Sequence, residues 1–272
     1  MKIIGKIVSF ALFSAAASAQ AQGIQVNKLD LTGIRLGMTE AEVMQAVKAA
    51  DPTARVMNRI VSYYPYSDGV KGFQTPEFLS ELEFRTANQS TFRIWFASPP
   101  SEPRAFAIMR NAFDRNNPPS RQQFTAALAA KYGPTQFHYV PNTGSNVGQW
   151  SEPGKPECAV SSNARIAIDG SNETLLPSGA VGAVDVLERM ARNKNPNLLR
   201  TMGTSVDVAR CGTVLRYTWG GPPNDPAFAI SEFTAWLVDQ GGMVKAQRKS
   251  DQWVKQLEAD AVGKRQGAVP SL

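Results

Sequence analysis

The chain has one histidine and two cysteines in 272 residues, and only 19% of its residues are charged. Each shortage excludes a class of chemistry. A Ser-His-Asp triad would have to be built on His138, yet no Gly-x-Ser-x-Gly elbow occurs. Residues 136–140 read as a strand in which His138 alternates with apolar neighbours, which is a structural or solvent-facing position. Two cysteines without a Cys-x-x-Cys pair, plus one histidine, cannot supply the four ligands of a structural zinc. HExxH, EF-hand, P-loop and Ser-x-x-Lys signatures are missing. The residue pattern therefore requires no cofactor and no metal. Beyond the first residues no apolar run is long enough to span a bilayer, so no transmembrane helix is expected in the mature chain. Concentrated positive charge is scarce too. Arg104, Arg110, Arg115 and Arg121, and later Lys245, Arg248, Lys249 and Lys255, are interrupted by Asp114, Asp251, Glu258 and Asp260. Such stretches read as solvated faces and not as a nucleic-acid surface.

What is present is an export address. Residues 1–19 combine Lys2 and Lys6, a short apolar stretch and Ala17-Ser18-Ala19, the pattern of a signal peptide cleaved before Gln20. Its removal takes two basic groups with it and lowers the formal charge from +6 to +4. The expected location is periplasmic or secreted. In an oxidising compartment Cys158 and Cys211 are expected to form one disulfide. Closing a loop of that length is worth about 4 kcal/mol in the chain-entropy model.

The remaining 43% hydrophobic composition is arranged in two similar passages. Thr39 and Glu42 form a capping box, Val43 and Val47 line one helical face, and Asp51-Pro52 stops the helix. Ser120 and Gln123, then Phe124, Leu128 and Tyr132, then Gly133-Pro134, repeat the grammar. The correspondence fits a duplication, and it fits equally the resemblance of any two capped amphipathic helices. Strand patterns follow each helix, at 55–63, 78–85, 91–97 and 104–113, then at 136–140, 148–151, around Cys158, and at 164–168, 213–219 and 230–238. Helices are expected at 182–193 and 243–262. The predicted fold class is α+β: two helix-plus-antiparallel-sheet units and a C-terminal helix. The divisions are a signal peptide at 1–19, a first unit at 20–117, a second at 118–240 holding the disulfide, and a helix and tail at 241–272.

Residues 33–43, Gly-Ile-Arg-Leu-Gly-Met-Thr-Glu-Ala-Glu-Val, resemble the opening motif of the small SmpA/OmlA-type outer-membrane assembly lipoproteins. They also resemble that of the β-lactamase inhibitory proteins, built from two helix-plus-sheet repeats. With Lys131-Tyr132-Gly133-Pro134, the chain further resembles uncharacterised exported proteobacterial proteins that carry a Gly-Met-Thr helix. The resemblance implies a helix packed on an antiparallel sheet. It transfers no functional residue, because the matching positions cap and pack that helix. The residue directly after the cleavage point is Gln20 and not cysteine, and the second helix lacks Gly-Met-Thr.

Two groups of residues remain as candidates. Glu77, Glu81 and Glu83 cluster at one strand, where Glu81 and Glu83 share a face near Arg85 and Arg93. A glycosidase sets its two carboxyls across a cleft, usually from different segments, so these read first as a solvated sheet face. Tyr63, Tyr64 and Tyr66 precede Ser67-Asp68-Gly69, and adjacent tyrosines in a strand point opposite ways. They are the candidate partner-binding residues, since tyrosine offers contact area with a polar tip. They could alternatively pack under the 65–77 loop. The expected function is non-enzymatic binding of a protein or cell-envelope partner. The alternatives are a carboxylate-dependent envelope hydrolase and a small-ligand binder with an apolar pocket between its sheets.

Overall fold

The computed structural model describes residues 29–141, 144–155 and 208–265. Within them lie α1 (Glu40–Ala50), β1 (Arg55–Ser62), β2 (Pro65–Ser67), β3 (Gly72–Gln74), β4 (Phe78–Arg85), β5 (Thr91–Phe96) and β6 (Ala105–Phe113). They are followed by α2 (Arg121–Tyr132), β7 (Phe137–Val140), β8 (Ser145–Ser151), β9 (Thr213–Gly220), β10 (Glu232–Asp239) and α3 (Gln240–Lys264). The segment expected at 1–19, the strands around Cys158 and at 164–168, and the helix at 182–193 lie outside the described residues. So does Cys158. Its expected partner, Cys211, is buried ahead of β9.

Both capping boxes form. Thr39 N–H donates to Glu42 Oε2 at 2.7 Å, and Ser120 N–H donates to Gln123 Oε1 at 2.9 Å. Each partner's backbone N–H returns the bond to the hydroxyl. The first helix stops at Asp51, and the second at Gly133 with φ +89°, where a Cβ would be strained.

The fold is α+β and mostly sheet. The two units do not keep separate sheets, however. Eight strands run in the order β1-β4-β5-β6-β10-β9-β8-β7, every pair antiparallel. Read inward from one edge the sheet is the first unit; read inward from the other it is the second. Their last strands pair at the centre, from Glu232↔Phe113 to Val238↔Ala107. This shared order of helix and four strands favours duplication over chance similarity of two helices. It also removes the inter-sheet space in which an apolar ligand pocket was expected.

Both α1 and α2 cover one face, which we call the helix face. Val43, Val47, Phe124 and Leu128 join Leu82, Phe84, Ile94, Leu215 and Leu237 in one core. The reverse face packs Trp95, Ala107, Trp236 and Val238 under Met243 and Val244 of α3. At the seam the halves interlock on both faces. The Arg110 guanidinium on β6 lies 5.4 Å from the Phe92 ring centre and 5.3 Å from that of Phe233, one ring from each unit. On the reverse face Trp95 and Trp236 stack at 5.6 Å.

The residues before α1 tie into the same centre. Arg110 donates to Thr32 Oγ1 at 2.9 Å, Tyr132 donates its hydroxyl to Asp30 O at 2.8 Å, and Tyr132 and Tyr217 hydroxyls lie 3.0 Å apart. Burial pushes the Tyr132 phenol up to about 12, and pushes Tyr217 well above the ordinary value, with its neighbour Tyr132 adding to the shift. The native state therefore keeps two protons that the unfolded chain releases near pH 10. The unfolded state then binds fewer protons, so stability is full below that pH and falls as pH rises from about 10 towards 12. Denaturant unfolding at about pH 8 and about pH 11 should show this loss, and Tyr132→Phe should reduce its pH dependence. An equal loss in the variant would contradict the assignment.

Candidate partner-binding edge

The halves differ in two connections: residues 152–212 join β8 to β9 where residues 86–90 join β4 to β5, and the link after the edge strand differs as well. In the second unit residues 141–144 link β7 to β8. In the first unit the corresponding link, residues 63–77, contains the two-stranded β2–β3 hairpin. Its tip is ordered by local chemistry. Asp68 Oδ1 accepts from the backbone N–H groups of Val70 at 2.8 Å and Lys71 at 2.6 Å, which holds its carboxyl below the usual carboxylate range. Gly69 beside it takes φ +88°.

This insert and the adjacent edge strand carry most of the exposed apolar surface. Eight large apolar residues are exposed among those described, and six fall between positions 56 and 73: Val56, Met57, Ile60, Tyr63, Val70 and Phe73. Val70 is 74% exposed and Phe73 40%. Apolar side chains scattered singly need no explanation, whereas several on one insert and the edge strand beside it make a candidate contact surface. Among the described residues β1 pairs only with β4, and its ladder is irregular at Val56/Asn58 and Ile60/Val61.

The three tyrosines have separate fates. Tyr63 is exposed at the end of β1. Tyr66 stacks on Phe73 across the hairpin at 5.4 Å. Tyr64 is buried, with 5% exposure. Its ring lies 5.2 Å from Phe78, and its hydroxyl donates to Ser98 Oγ at 2.6 Å. Ser98 in turn pairs with Ser250 on α3 at 2.8 Å. Burial raises the Tyr64 phenol, against the opposing effect of these hydroxyls. Tyr64 thus pins the base of the insert to α3, and its two neighbours present the insert to solvent. Val70 and Phe73 complete the surface. Their sequence signal is the Asp68-Gly69 turn followed by two apolar residues.

Two spaces adjoin this region. A groove of about 890 Å³ runs between the hairpin and the end of α3, lined by Tyr66, Val70, Phe73, Leu257 and Ala261 with charged residues at its rim. A cavity of about 60 Å³ lies beneath, among Tyr64, Phe78, Trp95 and Met243. The latter is far below the several hundred Å³ of a small-molecule pocket.

The carboxylate cluster lies elsewhere. Glu81 and Glu83 share the reverse face of β4, 3.8 Å and 3.7 Å from Arg93 Nε on the next strand, and Asn58 donates to Glu83 at 2.9 Å. One guanidinium facing two acids on a single strand is charge compensation and not a pair set across a cleft. Neither acid lines the groove or the cavity. Glu77 is exposed ahead of β4, and His138 is exposed on the edge strand β7. Among the described residues no group of three or more His, Cys, Asp or Glu side chains could hold a metal, and no helix is long and apolar enough to cross a membrane.

No family model matches the chain, and comparison with curated proteins and with solved structures gives no significant match. The site therefore rests on its own geometry. Truncating Tyr64 removes a buried ring and its hydroxyl network, so Tyr64→Ala should cost about 3 kcal/mol or more. Tyr66→Ala on the outer surface should cost about 1 kcal/mol or less. Equal costs in chemical denaturation would contradict the division of roles.

Proposed function

We propose that this chain is an exported, non-enzymatic binding protein that engages a protein partner in the cell envelope through the β2–β3 insert and the neighbouring β1 edge. The observation that carries the reading is the asymmetry of a repeated scaffold. After its edge strand the second unit has only residues 141–144, and at the same place the first spends residues 63–77 on a hairpin that displays Tyr63, Val70 and Phe73. Connecting segments on a rigid scaffold are where binding residues concentrate. An edge strand beside them adds backbone groups that an extended partner segment can pair with.

Export belongs to the same proposal. The leader at 1–19 and the resemblance of residues 33–43 to exported helix-plus-sheet proteins support it. An oxidising compartment would in turn maintain the expected Cys158–Cys211 bond.

A photo-crosslinking amino acid placed at position 63 or 73 of the exported chain tests the surface directly. Discrete adducts are expected from both, with none from position 139 on the opposite edge of the sheet. Adducts from position 139 alone, or from no position, would contradict the proposal. Mass spectrometry of the same exported protein should place its N-terminus at Gln20.

A further inference from the structure

The groove between the hairpin and α3 has a chemical preference that identifies the kind of segment it receives. Its floor is apolar: the stacked Tyr66 and Phe73 rings and Val70 from the hairpin, facing Leu257 and Ala261 from the helix. Its rim carries three cations, Lys71, Lys264 and Arg265, and two acids, Asp68 and Asp260. Both acids keep their charge, so the rim carries an excess of one positive charge. Asp68 Oδ1 accepts the two backbone N–H groups of its own turn, and Asp260 Oδ1 accepts from Gln256 Nε2 at 2.7 Å.

The cations are less committed. Arg265 donates one Nη1 to Asp68 O at 2.9 Å, which leaves the rest of its fork available. Lys71 and Lys264 have no ion pair among the described residues. The C-terminus of α3 accounts structurally for Lys264 and Arg265, since a cation there offsets the helix dipole. It does not account for Lys71, which faces the groove from the hairpin.

We infer that this groove receives an acidic-apolar segment of the partner polypeptide, with an apolar side chain on the Tyr66–Phe73 floor and carboxylates against Lys71, Lys264 and Arg265. The inference rests on the proposed function, whose surface it shares. Two features favour a polypeptide over an anionic membrane. Among the described residues the hairpin pairs with no further strand, so β3 keeps an outer edge that a peptide can pair with. Asp260 stands exposed on the same rim and would repel a continuous anionic surface, whereas the carboxylates of a peptide can be placed away from it.

The test is selection of a random displayed peptide library on the immobilised full chain, run in parallel on the Lys71→Glu/Lys264→Glu double variant. Wild type should enrich peptides that combine Asp or Glu with an aromatic or aliphatic residue. Synthetic versions should lose about tenfold in affinity or more on the double variant, and should weaken as salt is raised. They should also weaken on Phe73→Ala. Neutral or basic peptides that still depend on Phe73 would overturn the charge assignment and leave the insert as the binding surface. Peptides indifferent to both Phe73→Ala and Tyr66→Ala would overturn the surface itself. Vesicles containing phosphatidylglycerol that bind where no peptide is enriched would overturn the inference in favour of a membrane. The absence of any enrichment would also contradict it.

Discussion

The pairing of β6 with β10 is the interaction on which the rest of the structure depends. A four-stranded unit with one helix leaves its last strand unpaired, with both faces demanding cover. Joining two such units through those strands turns two liabilities into the centre of one sheet. The side chains at the seam follow from that burial. Ala107, Ala235 and Leu237 are fully buried there, and Trp95 and Trp236 close the reverse face. The single cation at the seam, Arg110, has aromatic rings from both units and the Thr32 hydroxyl in place of a carboxylate. Such a desolvated guanidinium is tolerable only while both rings stay in place, so it couples the two halves.

A sheet stabilised from its centre has freedom at its edges. The outer strands β1 and β7 differ in length, and only the first unit carries a hairpin in the connection that follows its edge strand. The hairpin meets the scaffold at few points. Tyr64 and Thr75 close its base through Thr75 N–H to Tyr64 O at 3.0 Å and Tyr64 N–H to Thr75 Oγ1 at 3.0 Å, and Arg265 reaches its tip. α3 therefore has two jobs along its length. Its first turns cover the tryptophans on the reverse face, and its last turns form the far wall of the groove.

What was legible in the sequence was local. The capping boxes at Thr39/Glu42 and Ser120/Gln123 depend on residues three apart, and the strands on alternation within about eight positions. The merging of two sheets into one was not legible, because it depends on partners more than a hundred residues apart, such as Arg110 and Ala235. A hint was available in Ala235-Trp236-Leu237-Val238, an unbroken apolar run of the sort found in strands buried on both faces. The hairpin was hidden for a different reason: three-residue strands are too short to show a period. Tyr64 could not be separated from Tyr63 and Tyr66, since its burial depends on Ser98 and, beyond it, Ser250.

The central claim is that the scaffold is complete without the insert and that binding resides in the insert. Replacing residues 65–74 with Asn-Gly, a two-residue hairpin turn between Tyr64 and Thr75, tests both halves at once. The account predicts a protein whose unfolding free energy lies within about 1 kcal/mol of wild type and which no longer retains its envelope partner on co-purification. A variant that fails to fold, or one that folds and still holds its partner, would contradict it.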